Sequence, residues 1–204
     1  MKLYYVRTGL LAVNSYFLVD ENTRETVLID CGEYYNKIQN IAKDYDLKIK
    51  ALLLTHAHFD HSGCAKKIQD DGARVYISEL DGIKIQSGQT LSDMFAKKYE
   101  TFMPDYIFTD GEVLHFTGFD VKVMLTPGHT DGSAVFVVGD KIFSGDTLFN
   151  GTYGRTDFPT GDEVALKKSI FSLFALEGDY TVYPGHNDFT KLSVERLNNP
   201  IKYL

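Results

Sequence analysis

Four side chains that can ligate metal ions occur within six positions of this 204-residue chain, between residues 56 and 61. They are His56, His58, Asp60 and His61. Because side chains alternate in direction along an extended segment, His56 and His58 would point the same way and could share one ion. Asp60 and His61 fall at a turn into a helix, where they can face a second ion. Gathering these groups at the end of an apolar strand is costly without a cation, so the pattern predicts metal binding.

Three more candidate ligands follow predicted strands later in the chain: His129 after Thr-Pro-Gly, Asp146 after Phe-Ser-Gly, and His186 after Tyr-Pro-Gly. Each alone would more often be a turn residue than a ligand, but with the first cluster they make a set of seven. The set divides between two ions: His56, His58 and His129 around one, Asp60, His61 and His186 around the other, and Asp146 bridging them. Imidazole and carboxylate donors suit zinc, iron or manganese, and spacing does not choose among them.

Two further polar residues have simpler alternatives. Asp30 ends an apolar strand, where it is either a turn cap or an acceptor that orients a ligand histidine. His115 lies inside a predicted strand and is interpreted as a surface or core residue. Neither is counted among the ligands.

The segment that follows Asp146 contains three candidates for substrate binding: Phe149, Tyr153 and Arg155. The forked guanidinium of Arg155 could clamp a substrate carboxylate, or it could form a structural salt bridge with Asp157. Tyr153 and Phe149 either line the pocket or pack within the protein.

The elements that must position these residues are read from the apolar pattern. Strands are predicted at residues 2–7, 13–19, 25–30, 49–54, 74–77, 106–109, 113–116, 121–125, 133–138, 141–143 and 180–183, and helices at 34–46, 61–71, 161–176 and 190–198. Residues 79–104 are interpreted as a helix followed by a mobile cover over the site, or as a linker. Each half runs from strands to helices, which predicts an α+β sandwich: a single domain of residues 1–204, with two face-to-face mixed β-sheets and helices outside.

Composition limits the partners. The 21 basic and 28 acidic residues give a formal charge of −7, which disfavours nucleic acid as a partner. No apolar run reaches membrane-spanning length and the first residues do not resemble a secretory signal, so we expect no membrane partner and a cytoplasmic location. Cys31 and Cys64 are too few for a disulfide framework, and free thiols are favoured. The sequence leaves the oligomeric state open.

The motifs resemble those of the metallo-β-lactamase fold superfamily. The pattern His-X-His-X-Asp-His stands at residues 56–61, and the remaining family motifs match at Gly128-His129, Gly145-Asp146-Thr147 and Gly185-His186. The chain looks most like the short glyoxalase II-like hydrolases, since residues 154–159 and 195–200 are similar to theirs. Asp146 stands where the members closest to the zinc β-lactamases carry cysteine. Asp131 and Asn187 depart from a common proline and a common glycine.

The resemblance implies an enzyme that uses two divalent metal ions, zinc first and iron or manganese as alternatives. A hydroxide bridging the ions would attack the carbonyl of a small thioester or ester, of the hydroxyacylglutathione type, with Asp60 orienting it and Asp146 holding both ions. The main alternative is a persulfide dioxygenase with one iron held by His56, by His129 or His58, and by Asp146. Hydrolysis of a lactone or a phosphodiester also stays open. The acidic charge disfavours a nuclease, and the complete ligand set disfavours a metal-binding protein without catalysis.

Overall fold

The computed structural model describes residues 1–203, and its first sheet is built mainly from the N-terminal half of the chain. The strands are β1 (Lys2–Thr8), β2 (Val13–Val19), β3 (Glu25–Ile29), β4 (Lys48–Leu53), β5 (Arg74–Ser78) and β6 (Tyr106–Phe108). They lie side by side in chain order. The first three strands pair antiparallel, and β3 to β6 pair parallel.

The second sheet is built from the C-terminal half and is also mixed. Its strands are β7 (Val113–Phe116), β8 (Phe119–Leu125), β9 (Ala134–Val138), β10 (Lys141–Gly145), β13 (Thr181–Pro184) and β14 (Thr190–Lys191), and a separate hairpin is formed by β11 (Leu148–Phe149) and β12 (Thr152–Tyr153). The order across this sheet is β14-β13-β10-β9-β8-β7. Only β10 and β13 pair parallel.

Helices cover the outer faces. They are α1 (Tyr35–Asp44), α2 (Phe59–Ser62), α3 (Ala65–Asp70), α4 (Glu79–Ser87), α5 (Glu163–Phe174) and α6 (Leu192–Asn198), with short 3-10 helices at Ser92–Phe95 and Pro200–Tyr203. No helix within residues 1–203 combines the length and the apolar character that crossing a membrane requires.

Three apolar cores follow from the two-residue period of the strands. In β2, Phe17 packs toward the outer helices while Tyr16 packs between the sheets. In β10, Phe143 packs between the sheets while Ile142 packs toward the helices beyond the second sheet. Strands with both faces buried carry nearly continuous apolar runs. This confirms the predicted α+β sandwich of two mixed sheets with helices outside.

The predicted helix at 61–71 is the clearest difference in secondary structure. It is divided into α2 and α3 by Gly63 and Cys64. The carbonyl of His61 accepts hydrogen bonds from the backbone N–H groups of Cys31 (2.9 Å) and Gly32 (3.4 Å), which brings the loop after β3 against α2. At Gly63 a side chain would meet the carbonyl oxygens of Phe59 and Gly32, at 2.5 and 2.9 Å. The close approach of this loop therefore accounts for the break. Both cysteines are buried free thiols.

Backbone hydrogen bonds join the two sheets at the rim where the candidate ligands lie. The N–H of Ala134 donates to the carbonyl of Thr55 (2.8 Å), and the N–H of Asn14 donates to the carbonyl of Gly185 (2.7 Å). The hydroxyl of Tyr16 donates to the carbonyl of Pro184 (2.6 Å). The ends of β4 and β13 are thus fixed relative to strands of the opposite sheet.

Candidate functional site

The histidine cluster lies where β4 gives way to α2. His56 and His58 are in the connecting loop, both buried, with ring centroids 4.6 Å apart. Asp60 and His61 follow in α2 and are also buried. The four donors therefore lie at one rim of the sandwich, two from the loop and two from the short helix.

The other three candidate ligands come from the second sheet and meet the first cluster. His129 Nε2 lies 3.0 Å from His58 Nδ1. Asp146 Oδ1 lies 3.2 Å from His61 Nε2, and its Oδ2 lies 3.6 Å from the Nε2 atoms of both His129 and His186. His186 Nε2 is 3.2 Å from His61 Nε2. The structure thus brings together residues that are 130 positions apart in the chain.

The ligand atoms form three overlapping groups. Within each group the atoms lie within 4.8 Å of one another, and the groups are His56, His58 and His129; His56, His61 and Asp146; and Asp60, His61 and His186. The first and third are the two sets expected from the sequence. Asp146 shares its group with one member of each set, so its carboxylate lies between them.

Backbone carbonyls determine which ring nitrogens face inward. The Nδ1 of His129 lies 2.8 Å from the carbonyl oxygen of Arg155, and the Nδ1 of His186 lies 3.0 Å from that of Leu11. A carbonyl oxygen only accepts, so each Nδ1 carries the hydrogen and each Nε2 of the neutral ring presents a lone pair. The Nε2 atoms of His129 and His186 lie 3.0 and 3.2 Å from ring nitrogens of His58 and His61. Lone pairs facing each other at these distances repel unless a cation or a proton lies between them.

Asp30 is buried behind the cluster and orients two of its members. It accepts hydrogen bonds from the Thr55 N–H (2.9 Å), from the Thr55 hydroxyl (2.8 Å) and from His61 Nδ1 (2.8 Å). Because the Thr55 hydroxyl donates to Asp30, it accepts from His56 Nδ1 at 3.1 Å. Of the two interpretations of Asp30, the structure shows the acceptor that orients a histidine.

Two buried atoms test whether the site fits a metal ion. Among the described residues, His56 Nε2 and Asp146 Oδ1 have no hydrogen-bond partner. Buried polar atoms in native proteins are rarely left without a partner. At Gly185, a Cβ would lie 2.4 Å from Asp146 Oδ1 and 2.6 Å from His61 Cε1, so the absence of a side chain there keeps the space open. Unpartnered nitrogen and oxygen donors around an open space fit a metal site.

Protonation equilibria at the cluster agree with ligation. Burial, followed by the charge of His129, lowers the pKa of His58 to about 3, and burial with the neighbouring histidines lowers the pKa of His56 as well. Both rings are therefore neutral, which is the form that binds metal. Burial alone would lower the pKa of His61, but the charges of Asp146, Asp60 and Asp30 outweigh it and raise that pKa. The same negative field favours a metal cation in place of the proton.

A pocket of about 520 Å³ opens onto the donors. Its apolar side is formed by Leu11, Leu91, Phe95, Phe149, Tyr153 and Phe158. Leu91 and Phe95 belong to the predicted cover, so part of residues 79–104 does lie over the site. Phe149 and Tyr153 lie on the β11-β12 hairpin, in a stretch for which no strand was predicted from the sequence. The pocket therefore combines an apolar wall with a polar floor.

Arg155 lines the same pocket, but its fork is already engaged. Its Nε and Nη2 donate to the two carboxylate oxygens of Asp157, both at 2.6 Å, and its guanidinium lies 4.0 Å from the ring centroid of Phe158. The salt bridge was one of the two alternatives drawn from the sequence. His115, as expected for a residue outside the site, is exposed and pairs with Asp120 at 2.8 Å.

Sequence reasoning missed two residues that hold the site. Thr55 links His56 to Asp30, and Asp81 in α4 accepts hydrogen bonds from two ligand loops. Thr55 immediately precedes the histidine motif, which is the only signal that could have drawn attention to it. Asp81 lies 20 residues beyond that motif inside a helical pattern, where an aspartate usually faces solvent.

Comparisons with known proteins agree on one family. A sequence profile described as "Metallo-beta-lactamase superfamily" matches residues 8–186. A hydroxyacylglutathione hydrolase, GloC of Haemophilus influenzae, is 35% identical over 190 residues, covering 90% of each chain. The Bacillus subtilis protein YqgX, described as a probable metallo-hydrolase, is 31% identical and is covered to 97%.

Solved structures match over nearly the whole length of the chain. The BLEG-1 B3 metallo-β-lactamase superposes with a TM-score of 0.91 at 30% identity, covering 98% of both chains. TTHA1623, solved in a di-iron-bound form, superposes with a TM-score of 0.87 at 32% identity, covering 98% of this chain and all of the TTHA1623 chain. ETHE1 from Myxococcus xanthus superposes with a TM-score of 0.83 at 27% identity, covering 98% of this chain and 84% of the ETHE1 chain.

Proposed function

Because the chain belongs to the metallo-β-lactamase superfamily and is a metallohydrolase of it, we propose that it hydrolyses small thioesters of the hydroxyacylglutathione type. The relative named as a hydroxyacylglutathione hydrolase supports this substrate class at 35% identity. The observation that carries the proposal is the convergence of seven nitrogen and oxygen donors, five of which line one pocket, with the outer nitrogens of several histidines fixed by hydrogen bonds.

The donors divide into holders of two ions. One ion would be held by His56, His58 and His129, the other by Asp60, His61 and His186, with Asp146 between them. Divalent ions held there would supply Lewis acidity toward the carbonyl oxygen and an activated water for attack at neutral pH. Zinc suits the histidine and carboxylate donors. Iron is the alternative that the di-iron-bound relative supports, and manganese also suits these donors.

The two aspartates have distinct roles in the proposed reaction. Asp60 is buried, with Oδ2 lying 3.3 Å from His186 Nε2, and its carboxylate faces the pocket, where it would accept a hydrogen bond from the attacking water and orient it. Asp146 lies within 3.6 Å of His61, His129 and His186 and would hold both halves of the donor set in one geometry. Both would act as carboxylates, since neighbouring histidines lower the pKa of each despite burial.

The pocket walls would position the substrate. Phe149 stands beside His186, with 6.2 Å between ring centroids, and Phe158 stands 6.0 Å from His58. These rings, with Tyr153, suit the apolar part of an acyl thioester. Asp157 occupies the Nε and Nη2 edge of Arg155, so a substrate carboxylate would bind Arg155 by displacing Asp157 or through Nη1.

The second candidate is the oxidation of a persulfide at a single iron. That iron would be held by His56, by His129 or His58, and by Asp146; the three histidines lie in one donor group, and Asp146 Oδ2 lies 3.6 Å from His129 Nε2. The complete second set of Asp60, His61 and His186 favours the hydrolase with two ions instead.

Metal analysis and two substrates test the proposal. The protein purified without added metal should contain close to two divalent ions per chain and should release thiol from S-lactoylglutathione. His58→Ala and Asp146→Ala should stay folded but lose both metal and turnover. His115→Ala, which changes an exposed histidine outside the site, is the matched control and should retain both.

The opposite outcomes are equally clear. Oxygen uptake with glutathione persulfide, together with one iron per chain and no thiol release from the thioester, would establish the second candidate. Unchanged turnover in Asp146→Ala or His58→Ala would refute the assignment of the site.

A further inference from the structure

Asp81 is a fully buried carboxylate in the first turn of α4 that the proposed chemistry does not use. Its Oδ2 accepts a hydrogen bond from the backbone N–H of Ala57 (2.9 Å) and another from the hydroxyl of Thr130 (2.8 Å). A buried acidic side chain is rare unless its charge is compensated. The identity of its two donors shows what it connects.

Both donors are next to candidate ligands. Ala57 lies between His56 and His58, and Thr130 follows His129. One oxygen of Asp81 thus links the loop of the first sheet to the loop of the second sheet. Those loops bring His58 Nδ1 and His129 Nε2 to 3.0 Å.

Lys84 compensates the charge of Asp81 one turn later in the same helix. Its Nζ donates to Asp81 Oδ1 (2.7 Å) and also to a carboxylate oxygen of Asp131. Burial by itself would lower the pKa of Lys84, but the two carboxylates outweigh burial and raise it, so the lysine stays charged. Asp131 is the residue that stands where a proline is common in the resembling family.

The loop after His129 also packs closely on the start of α4. A Cβ at Gly132 would lie 2.7 Å from both Asp81 Oδ1 and the hydroxyl oxygen of Ser78. The Ser78 hydroxyl donates to the carbonyl of Gly132 at 2.6 Å. The start of α4 therefore holds the loop after His129 at several points. Of Ser78 and Asp81, only Asp81 also accepts a hydrogen bond from the loop that carries His56 and His58.

We propose that Asp81, with its charge balanced by Lys84, is a positioning residue that sets the separation of the His56-His58 loop from His129 and so tunes affinity for the first metal ion. This inference rests on the proposed metal site. Partners that orient ligands typically change metal affinity by about 10-fold to 100-fold when they are removed. A purely structural ion pair would instead change stability and leave the affinity alone.

The test measures zinc retention against a chromophoric chelator, together with thermal unfolding of the same samples. Asp81→Ala should release zinc with an affinity about 10-fold or more below that of the wild type. Asp81→Asn should retain most of the affinity, because the amide oxygen can still accept from Ala57 and Thr130. The matched control is Asp20→Ala, which removes another buried carboxylate with three hydrogen bonds, in the turn after β2 at the opposite end of the sheet.

The outcomes separate the two inferences. Wild-type zinc affinity in Asp81→Ala, with a loss of melting temperature like that of Asp20→Ala, would overturn the positioning role and leave the metal site standing. A wild-type protein that holds no zinc, iron or manganese would overturn the metal site and this inference with it. If Asp81→Ala does not fold, Thr130→Val removes the hydroxyl's bonds to Asp81 and to Ser133 but keeps the bond from Ala57 to Asp81, and it should weaken zinc binding by a smaller factor. An unchanged affinity in Thr130→Val would then overturn the role.

Discussion

Replacing Asp30 by asparagine should impair metal binding without removing any ligand. Asp30 Oδ2 accepts from both His61 Nδ1 and the Thr55 hydroxyl, at 2.8 Å each. In Asp30→Asn, the amide NH2 group would face either the Thr55 N–H, which now donates to Oδ1 at 2.9 Å, or both the Thr55 hydroxyl and His61 Nδ1. The second orientation would remove the acceptor of His61 or shift its proton to Nε2, the nitrogen that faces the cluster. The first would displace the Thr55 segment that leads into His56.

The expected loss of metal affinity in Asp30→Asn follows from the hydrogen bonds that are lost. A hydrogen bond to a charged group contributes about 1.5–3 kcal/mol, and each 1.4 kcal/mol corresponds to about a factor of ten in affinity. Because Asp30 is buried, water cannot replace the lost acceptor. We therefore expect metal affinity at the His61 site to fall by about 10-fold to 100-fold.

The assay is competition with a chelator, read by metal content and by thioester turnover in the same samples. Asp20→Asn is the matched control, because Asp20 uses a single oxygen for its three hydrogen bonds and asparagine can keep them. The control should behave as the wild type. The reasoning is refuted if Asp30→Asn binds metal with wild-type affinity, or if it loses metal no more readily than Asp20→Asn.

Three further predictions address the surroundings of the site. Gly185→Ala should reduce metal content and turnover without changing the circular dichroism spectrum, because the Cβ would lie 2.4 Å from Asp146 Oδ1; full metal content would contradict this. Glu195 is buried and accepts bonds from Gly151 N–H, the Thr190 hydroxyl and the Asn199 amide. Glu195→Ala should therefore lower the free energy of unfolding, measured in urea, by roughly 3 kcal/mol. It should also raise KM, because Glu195 holds the hairpin that carries Phe149 and Tyr153. Unchanged stability would show that Glu195 does not hold this hairpin in place. The hydrogen bonds from Arg155 lower the pKa of Asp157 to about 2 from its ordinary value of 3.8. The stability that this pair contributes should therefore be present above pH 3.8 and be lost as the pH falls toward 2. NMR titration of Arg155→Gln should show a higher pKa for Asp157, and an unchanged pKa would disprove the cause.

The rim of the site was predictable because strand ends carry simple sequence signals. His56 and His58 follow a buried apolar strand, and Gly128, Gly145 and Gly185 each precede a donor. In the second sheet β8, β10 and β13 run in the same direction, so the three donors that follow these strands lie at one edge of that sheet. The order of strands before helices in each half of the chain likewise predicted the layered fold.

What the sequence did not reveal depends on contacts between distant segments. The break in the helix at 61–71 comes from the loop after β3 packing on α2 at Gly63, and no local pattern encodes that approach. The β11-β12 hairpin has strands of two residues each, too short for a period to register. Asp81 looks like an ordinary helical aspartate until the fold places Ala57 and Thr130 against it.

Hydrogen bonds from the first hairpin to the last donor link site assembly to protein synthesis. The carbonyl of Leu11 holds His186, and Asn14 donates to the carbonyl of Gly185. A nascent chain on the ribosome lacks the seventh donor until residue 186 has been added, and its N-terminal hairpin lacks this partner for the same interval. Capture of the second ion must therefore follow the addition of residue 186, and a chain truncated before that residue would lack one ligand of this ion however much metal is supplied.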